Sequence, residues 1–201
     1  NQAVTLVKKV AYAKSRPSSE LYLWFTLQDY WDMDPEADDS FGLVTSDNRA
    51  KPSFVAYNEL IRELANTDPQ GEVELNPAVR SLCFRHDDGS LVYVCWLRQG
   101  EDATQLWLKS GSGTVRVTDM FGRSLDAPVH AGVVMVPLGG EPLYLSAGTS
   151  EIVAAPQSDM FIRVTGSLVV DGDTGARLPF VFREPLGRAA TGRVVLGDSD
   201  G

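Results

Sequence analysis

An apolar run near the start of the chain most constrains the possible fold. Residues 21–27 read Leu-Tyr-Leu-Trp-Phe-Thr-Leu, with no alternation between apolar and polar positions. A strand of this kind is buried on both faces, as in a parallel sheet covered by helices. Such a strand needs parallel neighbours, and no later segment shows the strand–helix rhythm that would supply them. We therefore expect another part of a longer polypeptide to provide them, with Asn1 not the natural N-terminus.

Helices are predicted on both sides of this run. Residues 2–14 carry apolar side chains at helical spacing with lysines between them, and Arg16-Pro17 ends the segment. A second helix is expected to begin at Pro52, because proline is favoured at the first helical position. The first predicted region, residues 1–67, is therefore helix, strand and helix.

After residues 68–71, short strand patterns replace the helical patterns of the first region. Strands at 79–84 and 91–97 flank an Asp-Gly hairpin signal, and further short strands are separated by glycine-rich turns. This spacing predicts an antiparallel β-sandwich over residues 71–155. A third stretch, residues 157–201, has three strand patterns, at 161–170, 178–182 and 193–196, a thin basis for an independent core. It is either an incomplete domain or an addition to the sandwich, and the expected fold class is α+β.

Composition excludes several functions. The chain has 18 Lys and Arg against 27 Asp and Glu, a net charge of −9, which argues against nucleic acid as a partner. No apolar run approaches the ~20 residues of a membrane span, so we expect no membrane partner. Two histidines and two cysteines are too few and too scattered for a structural zinc site, and no phosphate-binding loop is present. We expect no cofactor and no metal.

Several motifs of the first 155 residues resemble one enzyme family. They are the apolar run continued to Trp31, then Phe-Gly-Leu-Val at 41–44, and Lys-Pro-Ser-Phe-Val-Ala-Tyr at 51–57. These resemble the last strand and last helix of the (β/α)8 barrel of a clan A glycoside hydrolase, with residues 2–14 as the preceding helix. The segments at 92–97, 115–123 and 141–148 resemble the β-sandwich that trails many such barrels.

The resemblance implies a chemistry for the parent protein. Retaining glycosidases use two carboxyl groups about 5 Å apart, one as nucleophile and one as acid/base. In clan A these residues end the fourth and seventh barrel strands, and this chain resembles only the part of the enzyme after the seventh strand. No catalytic residue is therefore expected in this chain, which alone should be inactive. A carbohydrate substrate and the missing barrel segment are the implied partners. The cellular location stays open; polysaccharide-degrading enzymes of this kind are often secreted.

Four residues are candidates for substrate binding, because barrel active sites lie at the C-terminal ends of the strands. An indole stacks well on a pyranose face, which makes Trp24 a candidate sugar platform, although it would equally serve as a core filler. Gln28 and Asp29 are placed to hydrogen-bond sugar hydroxyls or, alternatively, to cap the loop. Trp31 lines the cleft or packs the loop onto the barrel.

The loop after this run is acidic, and a second acidic motif occurs later. A solvated loop explains the first best, and a calcium site is the competing hypothesis, built from Asp32, Asp34 and Glu36. A catalytic Asp38/Asp39 pair is disfavoured, because neighbours on an extended chain point apart. The motif at 171–175, Asp-Gly-Asp-Thr-Gly, opens like a calcium loop but lacks its later ligands, so we interpret it as a hairpin turn.

Two cysteines lie on the strands of the predicted hairpin. With a loop at 87–90, Cys83 faces Val94 and Cys95 faces Leu82, so the thiols point to opposite faces. A shift of one residue would pair them directly, and the disulfide question stays open. We favour two buried free thiols.

A non-catalytic carbohydrate-binding or structural module is the alternative function. Exposed aromatic residues on one face of the sandwich would then form a stacking platform. The available residues are Trp96, Trp107, Tyr93 and Tyr144. For Trp96 a place in the core is the stronger interpretation.

Overall fold

The computed structural model describes residues 1–16, 22–24, 26–29 and 41–155, and the backbone of four short strands beyond them. The chain divides into two compact units, Asn1–Ala155 and Pro156–Gly201. The predicted helical region and the predicted sandwich therefore lie together in the first unit.

The described part of the first unit contains two helices and nine strands. Helix α1 spans Gln2–Lys14 and α2 spans Pro52–Leu64, with Pro52 at the predicted first position. The strands are β1 (Thr67–Val73), β2 (Val79–His86), β3 (Leu91–Leu97), β4 (Thr104–Ser110), β5 (Thr114–Asp119), β6 (Ser124–Pro128), β7 (Val133–Leu138), β8 (Leu143–Ser146) and β9 (Ile152–Ala154).

The strands form two antiparallel sheets. One has six strands in the order β1-β2-β3-β8-β5-β6, and the other has three in the order β7-β4-β9. A single cluster of buried side chains draws on both sheets, including Leu106 and Leu108 of β4 and Leu145 of β8. The predicted α+β class with an antiparallel β-sandwich is confirmed.

The six-stranded sheet is buried on its other face as well. There, Phe84 of β2 and Val94 and Trp96 of β3 pack with α1 and α2. Tyr93 and Cys95, which alternate with them along β3, belong instead to the core between the sheets. Because both faces of β3 are covered, its sequence is apolar at every position, as in a strand of a parallel sheet.

The run at 21–27 behaves differently from the prediction. Residues 22–24 and 26–29 form no strand, and Gln28 makes only an isolated parallel bridge to Val44. Leu23 is 78% exposed and Leu27 is 63% exposed, so this chain alone does not bury these residues, and their burial by another part of the protein stays a prediction. The physical reason is that the described part of the chain offers this run no ladder of parallel neighbours.

The β2–β3 hairpin corrects the predicted register of the cysteines. Its loop has three residues, 87–89, closed by His86 and Ser90, with Gly89 at a positive φ of 83°. Such a loop ends in a left-handed residue and shifts the pairing by one place. Cys83 therefore faces Tyr93, and both thiols point into the sandwich core rather than to opposite faces. Both are buried and free, as favoured.

The second unit has four short described strands, paired as two antiparallel ribbons. They are β10 (Ile162–Val164) with β13 (Phe180–Phe182), and β11 (Val169–Asp171) with β12 (Gly175–Arg177). Asp171 pairs with Gly175, which agrees with the hairpin interpretation of that motif. The predicted strand at 193–196 lies outside the described residues.

Candidate functional site

Trp24 is held in place by the backbone of the following segment. Its indole N–H donates a hydrogen bond to the carbonyl oxygen of Phe41 at 3.0 Å. The side chain is half-buried and packs against the cluster of α1, α2 and the six-stranded sheet. The structure thus gives the indole a fixed orientation while leaving part of it exposed.

Asp29 is engaged through both carboxylate oxygens. Oδ1 accepts the backbone N–H of Gly42 at 2.8 Å, and Oδ2 lies 2.5 Å from Nζ of Lys51. The two side chains are 12% and 16% exposed, so solvent screens this ion pair less than a surface pair. A Cβ on residue 42 would lie 2.4 Å from the backbone nitrogen of Asp29, and this close approach requires glycine.

Gln28 points to the loop on the other side of the bridge. Its Nε2 donates to the carbonyl of Ser46 at 2.8 Å and to Oδ1 of Asn48 at 3.1 Å. The side chain is exposed. These contacts fit the loop-capping alternative that the sequence left open, and they use both N–H groups of Nε2.

Two polar residues of this network were not singled out from the sequence. Nε2 of Gln2, at the start of α1, donates to the carbonyl of Phe41 at 2.8 Å, and Oε1 of Gln2 accepts Oγ–H of Ser53 at 2.8 Å. Ser53 is 1% exposed, at the start of α2. One indication of this network was present in the sequence, because Ser53 belongs to the Lys-Pro-Ser-Phe-Val-Ala-Tyr motif at 51–57. Both helix starts are thereby tied to the segment that holds Trp24.

The remaining predicted site residues fall outside the described residues. These are Trp31 and the acidic residues of the calcium and catalytic-pair hypotheses, Asp32, Asp34, Glu36, Asp38 and Asp39. Among the described residues, no group of three or more His, Cys, Asp or Glu side chains could hold a metal ion. Neither helix in the described ranges is long and apolar enough to cross a membrane.

Helix α2 brings two carboxyl groups against the six-stranded sheet. Glu59 is 8% exposed and accepts Nε–H of Arg62 at 2.9 Å. Burial, and then the nearby negative charge of Glu59, raise the pKa of Glu63 above its usual range. Burial likewise raises the pKa of the Tyr144 hydroxyl, which has no hydrogen-bond partner in the described part of the chain.

The aromatic platform of the alternative function is wrong for three of its four residues. Trp96 is 6% exposed, Tyr93 is 2% and Tyr144 is 1%. Trp96 and Tyr144 face the helices and Tyr93 faces the sandwich core, so they share no exposed surface. The core interpretation of Trp96 is confirmed. Trp107 on β4 is half-buried.

Comparison with known proteins gives a likeness of fold. No protein-family model matches the sequence, and no curated protein matches it. The structure resembles part of a family 39 glycoside hydrolase from the gut symbiont Bacteroides cellulosilyticus, with a TM-score of 0.61 and 24% identity. The match covers 72% of this chain and 30% of that enzyme, so this chain spans less than a third of the protein it resembles.

A second solved structure matches less well. It is the catalytic domain of the family 30 xylanase C from Talaromyces cellulolyticus, with a TM-score of 0.41 and 18% identity. The match covers 54% of this chain and 27% of that domain. The likeness of fold therefore rests on the family 39 enzyme alone.

Proposed function

We propose that this chain is the C-terminal portion of a retaining glycoside hydrolase, in which it supplies one wall of the sugar cleft and an accessory β-sandwich. The catalytic carboxyl groups belong to another part of the parent protein. The observation that carries the proposal is the exposure of Leu23 and Leu27 in an apolar run that lies between two helices packed on a sandwich. In a complete barrel, neighbouring strands would cover this run.

The likeness to the family 39 glycoside hydrolase supports this proposal. That likeness covers 72% of this chain at a TM-score of 0.61. Leu23, Leu27 and Phe41 are large apolar side chains that remain 48% to 78% exposed. We propose that the barrel segment of the parent is the partner that covers them, and that a carbohydrate is the substrate.

The described site residues take different roles in this proposal. Trp24 is the sugar platform, because its hydrogen bond to Phe41 fixes the ring and part of the ring is exposed. Gln28 is exposed, and its Oε1 accepts hydrogen bonds from sugar hydroxyls, since Nε2 already donates to Ser46 and Asn48. Asp29 positions the loop, because Gly42 and Lys51 already occupy both of its oxygens. The role predicted for Trp31 stays a prediction.

Two experiments test the proposal. The 201-residue chain should not hydrolyse aryl glycosides, whereas a parent protein that includes the upstream coding sequence should do so with retention of configuration. That upstream sequence should contain two glutamates at the ends of barrel strands. Hydrolysis by the chain alone, or an upstream sequence without such glutamates, contradicts the proposal.

The role of Trp24 is tested in the parent enzyme. Trp24→Ala should lower kcat/KM by about tenfold, the change that corresponds to a loss of about 1.4 kcal/mol of transition-state binding. Trp24→Phe should keep most of the activity. Trp107→Ala, a half-buried tryptophan on β4, is the matched control and should leave kcat/KM unchanged. Equal effects of the two alanine variants would assign Trp24 to the core.

A further inference from the structure

One face of the six-stranded sheet packs against the helices, and near the end of α2 its side chains change from apolar to polar. Along β8, Tyr144 is buried under the helices, and Ser146, on the same face two residues later, is half-buried. Along β2, buried Phe84 is followed on that face by His86. Glu63, in the last turn of α2, stands at the border. Beyond the helix, the sheet face is polar.

The strand register aligns polar side chains across this part of the sheet. Ser146 of β8 pairs with Arg116 of β5, and Arg116 pairs with Asp126 of β6. Directly paired residues lie on the same face, about 5 Å apart. Thr114, two residues before Arg116, faces the same way and begins a second row. The result is a strip three strands wide, which we call the polar strip.

A cleft of about 490 Å³ lies over the polar strip. Besides the strip itself, hydroxyl groups from two turns line it, those of Ser90 in the β2–β3 hairpin and Ser112 before β5. Its volume falls within the range of small-molecule sites, about 300–1,000 Å³. Its lining is dominated by hydroxyl and charged groups, so a ligand must replace the hydrogen bonds of water there.

The charges of the cleft select the class of ligand. Arg116 and Asp126 form an ion pair at 3.4 Å with side chains 65% and 59% exposed. An exposed pair contributes little to stability, about 0–1 kcal/mol, so both groups can turn to a ligand at small cost. With Glu63 as a further carboxyl group, the cleft does not favour an anion. The donors and acceptors instead match vicinal hydroxyl groups.

We propose that this cleft binds a neutral polyhydroxyl ligand, such as a short oligosaccharide, through Arg116, Asp126 and Ser146. The site is separate from the segment of Trp24 and Asp29, and it does not depend on the proposed catalytic role of the parent protein. It also differs from the aromatic platform, because the residues that line the cleft include no aromatic ring except the imidazole of His86.

Titration of the ¹⁵N-labelled 201-residue chain with neutral trisaccharides tests the proposal by nuclear magnetic resonance. Cellotriose, xylotriose and maltotriose are the probes, and sodium sulfate and glucuronate are the anionic comparison. At least one trisaccharide should shift the backbone amide resonances of Ser90, Arg116 and Ser146, and the shifts should reach a plateau as the sugar concentration rises. A site this open should have a Kd of about 1 mM or weaker.

Exposed positions provide variants that keep the fold. Arg116→Ala and Asp126→Ala should each weaken binding at least fivefold. Arg98→Ala is the matched control, because Arg98 forms a similar exposed ion pair with Glu72 at the opposite end of β3. Shifts absent with all three trisaccharides, shifts that survive both alanine variants, or a response to the anions alone would each overturn the proposal.

Discussion

Two apolar runs of the same kind differ sharply in burial in this molecule. Residues 21–27 and the strand β3, Leu91–Leu97, both lack alternation between apolar and polar positions. In β3, Leu91 is 3% exposed and Val94 is fully buried, whereas Leu23 in the first run is 78% exposed. The pattern alone therefore does not decide burial, which depends on the neighbours that the chain supplies.

The neighbours of β3 come from both directions. Its edges pair with β2 and β8, one face meets the three-stranded sheet, and the other face meets α1 and α2. An apolar run is typical of a parallel sheet, but an antiparallel sheet that is covered on both faces imposes the same composition. In the described part of the chain, no ladder of strands pairs with the first run. Its exposed side chains are what the proposed barrel would bury.

A pair of leucine substitutions tests this comparison directly and should have the largest effect. Leu91→Ala removes a buried side chain and should lower the free energy of unfolding by about 2–5 kcal/mol. Leu23→Ala, the same change at an exposed position, should stay within about 0.5 kcal/mol. Urea unfolding of the 201-residue chain measures both. Similar losses for the two variants would mean that the first run is buried in solution.

Periodicity and turn chemistry were sufficient for much of the fold. They predicted α1, the start of α2 at Pro52, and the hairpin between β2 and β3. The packing of the helices on the sheet was not predictable. Trp96 faces the helices and Tyr93 faces the core between the sheets, and the sequence does not show which face of β3 meets which partner. The cysteine register failed because loops of three and four residues have nearly the same sequence signal.

The second prediction concerns the contact between α2 and the turn that joins β5 to β6. Gly122 has a φ of 89°, and a Cβ there would lie 2.8 Å from Oε2 of Glu59 on the helix. Gly122→Ala should lower the free energy of unfolding by about 2–3 kcal/mol, from backbone strain and displacement of the carboxylate. Gly100→Ala is the control, since Gly100 has a φ of 85° and open space around it.

The difference between these glycine variants isolates the packing of the helix. Gly100→Ala carries only the cost of the backbone conformation, and we expect it to lose about 1 kcal/mol. Equal losses in a denaturant titration would show that Glu59 yields to the added methyl group. The packing of α2 on the β5–β6 turn would then depend little on this contact.

The third prediction addresses the end of the exposed run. Asp29→Asn keeps an acceptor for the Gly42 amide but removes the charge that faces Lys51, and it should cost about 1–2 kcal/mol. Asp47→Asn is the control, because Asp47 pairs with Arg49 at a largely exposed position. Thermal unfolding of both variants at low and high salt measures the effect. A loss of the same size in Asp47→Asn would show that burial adds nothing to the Asp29 pair.

The sequence allowed the candidate residues to be selected by their place in and after the apolar run, but it did not reveal their contacts. Strand-end reasoning selected Trp24, Gln28 and Asp29, and the structure places these near the segments at 41–44 and 46–48. That Asp29 has both oxygens engaged depends on Gly42 and Lys51, which are distant in sequence. Spacing along the chain cannot reveal such partners, and for the same reason Gln2 was not singled out.

The smallest effect is expected from Glu63, the carboxyl group in the last turn of α2. Burial, followed by the charge of Glu59, raises its pKa in the folded state, so the folded protein binds its proton more tightly than the unfolded chain does. Stability from this group is present below the unfolded pKa of about 4.3 and is lost as pH rises through the folded pKa.

Removal of the charge by Glu63→Gln should therefore stabilise the protein at pH 7 and have little effect at pH 4. Solvent at this partly exposed position keeps the gain below about 1 kcal/mol. The free energy of unfolding of both proteins, measured at pH 4 and pH 7, gives the difference, and a variant that is less stable than the natural sequence at pH 7 would show that the attraction of Arg62 outweighs burial.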